Sequence, residues 1–322
     1  MKLQPLEFEK PVLELEAKIA DLKSSSTASD VNFESELKKM EEKLEGMRRE
    51  IYSNLTAWQR VQIARHPARP FALDYMQFAF QEFTELHGDR LFADDASMPG
   101  GLATIGKHRC VVVGHQKGRD TKENLKRNFG SAHPEGYRKA LRLMRMAEKF
   151  GLPFISLIDT PGAYPGVGAE ERHISEAIAL NLREMMTLRT PTVAVVIGEG
   201  GSGGALGIGV SDRVLMMENS YYSVISPEGC AAILWKHRKH APEAAEALKL
   251  TGTDLLELGL VDGVIPEPQG GAHQDQELAV KNLRKSVTAE LDQLVGVPLE
   301  KLLEDRYNKF RAFGEFAGDV VA

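Results

Sequence analysis

The sequence predicts an α/β fold built on a largely parallel sheet, and three observations carry that expectation. First, strand-like runs recur at Cys110 to His115, Leu152 to Ile158 and Thr192 to Ile197, the last a β-branched apolar run behind a proline. A run that is apolar on both faces suits a strand buried inside a layered sheet. Second, each run gives way to a glycine-bearing loop and then to a stretch with helical pattern, and strands alternating with helices imply right-handed βα units. Third, every glycine loop then falls at the carboxyl ends of the strands, where such sheets bind their ligands.

Composition bounds the rest. A chain of 322 residues, 43% hydrophobic and 27% charged, buries a large core, so one substantial domain with helical additions is expected. The net charge of −6 disfavours wholesale nucleic-acid binding but leaves room for a local basic patch. Cys110 and Cys230 lie among apolar or small residues and read as two buried thiols in a reducing compartment. Met1 to Lys10 has no apolar signal core, and no apolar run approaches the ~18 residues of a membrane span, so the expectation is a cytoplasmic protein with no membrane contact.

In chain order, Pro11 to Leu22 reads as a short amphipathic helix ended by the polar link Ser24 to Asp30. A long helix follows, with Leu37, Met40, Leu44, Met47, Ile51, Leu55 and Trp58 spaced by threes and fours. That narrow seam suits a helical hairpin, a partner, or a surface helix with one buried stripe. His66-Pro67 and Arg69-Pro70 break it, and another helix is expected over Phe71 to Phe83. Leu102 to Ile105 and Cys110 to Gly114 form a hairpin across Gly106-Lys107-His108. Helices are expected over Glu135 to Phe150 and Glu170 to Leu188, and a further strand over Arg213 to Met217. Ser226-Pro227-Glu228 starts a helix, with serine as cap and proline in the first turn. Short helices near Cys230 to Trp235, Pro242 to Leu248 and Thr253 to Leu258 precede a strand near Val261 to Ile265, the linker Pro266 to Gly271, and closing helices over Glu277 to Leu294 and Leu299 to Phe313. The chain accordingly divides into an amino-terminal helical region (1–70), an α/β core (71–270) and carboxyl-terminal helices (271–322).

Thr190 to Asp212 is the stretch around which the rest is organised, because six glycines lie between Gly198 and Gly207 directly after a strand. Glycine at that density lets a ligand lie against the backbone, and bare N–H groups at a helix start stabilise developing negative charge. Three familiar signatures can be read there. Gly198, Gly200 and Gly203 fit a dinucleotide fingerprint, but the helix before Asp212 is only about two turns, too short for the usual crossover. Gly200, Ser202 and Gly204 fit a nucleophile elbow, with Asp212, Glu218, His237, His240 and His273 leaving a triad possible, although serine is also simply a small residue in such a loop. Asp159-Thr160-Pro161-Gly162 resembles a GTPase loop, yet no phosphate-binding P-loop accompanies it. Metal chemistry has little support: His237 and His240 sit in a basic run, and no C-x-x-C pair occurs. Lys117, Arg119, Lys122, Lys126, Arg127, Arg138 and Lys139 cluster near the same sheet end, as a solvated face, a site for a phosphate-bearing ligand, or a site for an acidic partner protein.

At this level of detail the chain resembles the α subunits of bacterial acetyl-coenzyme A carboxylase carboxyltransferase over nearly its full length. The segments that carry the resemblance are Gly114 to Arg119, Pro134 to Arg142, Ile158 to Arg172, Ile197 to Gly204, Tyr222 to Cys230 and Ile265 to Pro268. One departure is His173-Ile174, where similar sequences usually read Gly-Gln.

The resemblance implies a crotonase-like fold, a spiral of ββα units, working with a separate β subunit in an α2β2 assembly. The implied reaction transfers the carboxyl group of carboxybiotin, presented by a biotin carboxyl carrier protein, to acetyl-CoA and gives malonyl-CoA for fatty acid biosynthesis. Biotin carboxylase completes the larger complex. Zinc belongs to the β subunit in that family, and no biotin is attached to this chain, since Met144-Arg145-Met146 has arginine where a biotinyl-lysine would stand. By the family's pattern the Gly203, Gly204 and Ala205 amides face the biotin ureido oxygen, with Gly162, Ala163 and Tyr164 as the adjacent wall and Gly200 and Gly201 behind it. Preorganised donors of that kind are worth roughly 3 kcal/mol each. CoA lies mainly on the β subunit, and Lys117 and Arg119 are expected to reach the shared site. A serine hydrolase using Ser202 is the competing class.

Overall fold

The computed structural model describes residues 6–28 and 34–314. Helix α1 (Lys10–Ala28) and helix α2 (Glu34–Ser53) run antiparallel, joined by the Arg48–Glu16 and Lys23–Glu41 ion pairs, each 2.7 Å. The expected link from Ser24 is helical as far as Ala28, and its remainder lies outside the described residues. The long second helix is interrupted. Thr56 caps a separate helix α3 (Ala57–Ala64), its side chain accepting the Gln59 amide while Gln59 reciprocates to the Thr56 amide. That capping box starts a new helix inside what the apolar spacing read as one.

Helix α4 (Ala72–Phe78) is shorter than expected, because Gln81–Glu85 leaves it as strand β1 and pairs antiparallel with β2 (Gly100–Ile105). The hairpin of β2 with β3 (His108–Gly114) forms where expected. After α5 (Thr121–Lys126) and α6 (Pro134–Phe150), strand β4 (Phe154–Thr160) pairs parallel with β3. Helices α7 (Val167–Glu171) and α8 (Ile174–Thr187) lead to β5 (Thr192–Gly201), the short helix α9 (Ser202–Leu206), β6 (Arg213–Met217) and β7 (Tyr221–Ser223). His173, the cap of α8, has φ of 65°, a left-handed geometry that suits the glycine of similar sequences and costs histidine about 1 kcal/mol. Helices α10 (Pro227–Leu234), α11 (Ala241–Leu248) and α12 (Gly252–Glu257), strand β8 (Gly263–Ile265), and helices α13 (Gln276–Leu294) and α14 (Leu299–Arg311) complete the chain.

The sheet order is β1-β2-β3-β4-β5-β6-β8, antiparallel over its first three strands and parallel thereafter. Strand β5 is central and apolar on both faces, as its sequence requires. Ala194 and Val196 face the layer that holds Leu143, Met144 and Met185, while Val193, Val195 and Ile197 face the layer that holds Tyr75, Leu283 and Val287. Past Ile197 the sheet divides: β5 pairs with β6 over Val193–Val196, then with β7 over Glu199–Gly201. The glycine end of β5 is thereby held between β4 and β7.

Two buried ion pairs fasten the flanking segments to this sheet. Arg306 of α14 is fully buried, grips both Asp212 oxygens at 2.7 and 2.8 Å, and donates to the carbonyls of Met185, Leu188 and Thr190. Arg69 pairs with Glu267 and donates from Nε to the Ile197 carbonyl at 2.7 Å. Glu267 lies in the stretch read as a linker, and its burial shows that stretch to be part of the core packing.

Candidate active site at the two glycine loops

Two segments meet backbone to backbone at the carboxyl ends of adjacent strands: the Pro161 to Gly166 loop after β4, and Gly201 to Gly204, where β5 passes directly into α9. A Cβ on Gly201 would stand 2.3 Å from the Pro161 carbonyl oxygen, and one on Gly204 would stand 2.5 Å from the Ala163 nitrogen. No L side chain tolerates approaches of that kind, so glycine is a packing requirement at both positions. Gly203 differs. The nearest atom to a Cβ there is Ile178 Cδ1 at 4.0 Å, so its side faces open space.

Helix α9 presents the N–H groups of Gly203, Gly204 and Ala205, and first-turn amides lack intrahelical acceptors. Gly204 and Ala205 are buried and Gly203 is half-buried, which puts the accessible edge at Ser202 and Gly203. Gly162, Ala163 and Tyr164 are half-buried beside it, with the Tyr164 ring stacked on His133 at 4.1 Å between centroids. Gly200 backs onto Tyr222, whose Cδ2 would lie 2.8 Å from a Cβ. The structure thus brings the two predicted glycine segments together at one sheet end.

Two supporting residues were not singled out from the sequence. Tyr137 Oη donates to the Gly204 carbonyl at 3.1 Å, and Asn181 Nδ2 donates to the Tyr137 and Gly207 carbonyls at 3.0 and 2.9 Å. Together they fasten α9 to α6 and α8. Tyr137 falls in the Pro134 to Arg142 segment that carried the resemblance, which is the signal that could have found it.

The basic cluster is turned inward. Lys117 Nζ lies 2.7 Å from Asp159 Oδ1 and 2.8 Å from Glu199 Oε1. Arg119 pairs with Asp74, donates to the carbonyls of Pro67 and Arg69 at 2.9 and 2.8 Å, and covers the Phe71 ring. Arg127 donates to the Ala96 carbonyl, Arg138 pairs with Asp89 and Glu135, and Lys139 pairs with Asp94. Of the seven, Lys122 and Lys126 are exposed, as is Arg119 despite its partners. Burial would push the Glu199 carboxyl up, but Lys117 and Arg65, with hydrogen bonds from Lys117 and Tyr221, bring it down to about 2.

Ser202 stands at φ of 51°, the left-handed geometry a nucleophile elbow also uses, yet among the described residues its hydroxyl meets no histidine. His237 Nδ1 accepts the Lys239 amide, His240 contacts Glu243, and His273 stacks on His66. No group of three His, Cys, Asp or Glu among the described residues could hold a metal, and no helix among them is long and apolar enough to cross a membrane.

Known proteins bear the same architecture. Transcarboxylase 12S, solved with methylmalonyl-coenzyme A bound, superposes with a TM-score of 0.57 at 18% identity over 70% of this chain and 42% of its own, less than half of that longer chain. A Pseudomonas malonate decarboxylase hetero-dimer superposes at 0.54 and 15% identity, over 68% of this chain and 91% of its own. At such identities the likeness establishes fold, and it agrees with the crotonase-like expectation. Sequence relatives go further. The acetyl-coenzyme A carboxylase carboxyl transferase subunit alpha of Thermus thermophilus is 58% identical over 313 residues, 97% of this chain and 99% of that one. The subunit of the same name from Methylococcus capsulatus is 56% identical over 98% of each chain. The family described as acetyl co-enzyme A carboxylase carboxyltransferase-like matches residues 5–314, and this chain belongs to it.

Proposed function

We infer that this chain is the α subunit of an acetyl-CoA carboxylase carboxyltransferase, serving the transfer of a carboxyl group that yields malonyl-CoA for fatty acid biosynthesis. The observation that carries the site assignment is the backbone contact of Gly204 with Ala163, which leaves the Gly203 edge open beside a fixed row of amides. A cradle of backbone amides without side chains fits a planar ureido group whose oxygen gains negative charge.

Carboxybiotin, presented by a biotin carboxyl carrier protein, supplies the carboxyl group. This chain's own work is positional and electrostatic. The Gly203, Gly204 and Ala205 amides donate to an oxyanion as its charge grows, Gly162, Ala163 and Tyr164 wall one side, and Gly200 and Gly201 exclude water from behind. Donors held rigid beforehand stabilise charge without reorganising during reaction, which is why backbone amides serve here. No side chain of this chain need act as acid, base or nucleophile. Acetyl-CoA is bound mainly by a β subunit, which carries the zinc, in an α2β2 assembly that joins biotin carboxylase in the full cytoplasmic complex. Residues 71–270 form the catalytic core, with 1–70 and 271–322 as flanking helical regions.

The test is reconstitution. Carboxyl exchange between malonyl-CoA and a biotin derivative is measured for the chain alone and with its β partner. The complex turns over and the chain alone does not; full turnover by the isolated chain, or none by the complex, overturns the reading.

A further inference from the structure

We propose that Lys117 is a positioning residue that clasps the ends of β4 and β5 and thereby sets the spacing of the two glycine loops. The proposal rests on the site assignment above, and it replaces the outward, ligand-facing role expected of this lysine. Its two partners stand immediately ahead of the loops: Asp159 three residues before Gly162, and Glu199 directly before Gly200 and Gly201.

The clasp is closed on every side. Asp159 Oδ1 takes the Glu199 amide at 2.9 Å as well as Lys117 Nζ at 2.7 Å, so one oxygen ties both strands and the lysine. A Cβ on Gly198 would sit 2.5 Å from that oxygen, and one on Gly130 would sit 2.9 Å from Lys117 Cγ, so both partners are seated by missing side chains. On its far side Glu199 receives Arg65 Nε at 2.9 Å and Tyr221 Oη at 2.6 Å, and Arg65 continues to Glu228. The His115 ring, whose nitrogens have no hydrogen-bond partner, is a further titratable neighbour of Lys117, and Arg69 and Tyr75 couple electrostatically to Asp159.

Charge explains why a cation is needed. Asp159 and Glu199 are both buried, and two carboxylates so close do not both stay ionised without a compensating charge. Burial pulls Lys117 toward neutrality, but Asp159 and then Glu199 outweigh it and keep the ammonium protonated. Burial pushes the Asp159 carboxyl up even beside Lys117, while Glu199 keeps Arg65 as a second cation; without Lys117 it is therefore Asp159 that takes up a proton, and the separation of the strand ends is no longer set by the clasp.

The experiment compares Lys117→Met, Lys117→Arg and Lys117→Met with Asp159→Asn, each in complex with the β partner. Lys117→Met lowers kcat about 100-fold, the loss expected from misplaced reacting groups, with KM for malonyl-CoA within about twofold. Its kcat also acquires a titration above the ordinary carboxylate range, higher on the acid side, from the uncompensated carboxyl pair. The double variant, charge-balanced again, recovers about tenfold and loses that titration. A raised KM at unchanged kcat, with no recovery from Asp159→Asn, overturns the proposal in favour of an anion-binding lysine. Should Lys117→Met not fold, the same split between kcat and KM is read from Lys117→Arg. Amide exchange over Gly162 and Gly200 to Ala205 needs no activity and so separates this inference from the assigned function: it quickens in Lys117→Met and slows again in the double variant, and unchanged exchange overturns the clasp.

Discussion

A Cβ on Gly204 would stand 2.5 Å from the backbone nitrogen of Ala163, whereas one on Gly203, a single residue earlier, would meet no protein atom nearer than 4.0 Å. Neighbouring glycines therefore have different jobs. At Gly204 even a methyl group drives the loops apart, so Gly204→Ala lowers kcat about 100-fold and lowers Tm, a 1 Å displacement of oriented groups being enough for such a loss. Gly203→Ala leaves Tm unchanged because the space is empty, yet still slows turnover, since the methyl group occupies the ligand's side. Wild-type turnover by a folded Gly203→Ala variant would remove this edge from the site.

What could be read from the sequence divides along physical lines. Buried strands and glycine loops were legible because their causes are local: β4 and β5 each carry a mostly apolar run, Phe154–Ile158 broken only by Ser156 and Val193–Ile197 unbroken, and the loops announce themselves by composition. Strand β1 was hidden because Gln81–Glu85 continues the apolar spacing of α4, and only pairing with β2 makes it a strand. Thr56 was legible in principle, as a threonine three residues before glutamine, but the seam running through Leu55 and Trp58 outvoted it. The pairing of Lys117 with Asp159 and Glu199 was not legible because those partners lie 42 and 82 residues away. Tertiary ion pairs of that kind, like Arg306 with Asp212, leave no trace in local pattern.

Ser202 separates the transferase from a hydrolase. Its hydroxyl meets no histidine among the described residues, and its left-handed φ of 51° is imposed by the turn from β5 into α9. Alanine keeps the amide and the small volume, so Ser202→Ala retains at least about a tenth of carboxyltransferase activity in the reconstituted complex, where loss of a true nucleophile costs several orders of magnitude. A fluorophosphonate probe leaves the native chain unlabelled. Stoichiometric labelling at Ser202, with an esterase activity lost in the alanine variant, would establish the hydrolase instead.

His115 makes the protein sensitive to acid well above the carboxylate range. The ring is fully buried, neither nitrogen has a hydrogen-bond partner, and Tyr137 meets it edge-on at 6.3 Å. Burial first, and then the positive Lys117, push its pKa down to about 3. The imidazole is therefore neutral in the folded chain, whereas in the unfolded chain it titrates near about 6.5. Because the folded value lies below the unfolded one, protonation favours the unfolded state: the stabilisation is fully present above about pH 6.5 and is lost as pH falls toward about 3. His66, pushed down to about 4 by burial and by His273, acts in the same direction and sets the background. One proton contributes about 1.4 kcal/mol per pH unit, so between about pH 7.5 and about pH 5 His115 alone accounts for about 2 kcal/mol of lost stability. His115→Met, which keeps an uncharged side chain of similar length, loses that much less over the same interval in urea unfolding. Superimposable pH dependence for variant and wild type would show that His115 is already charged, or already solvated, in the folded protein.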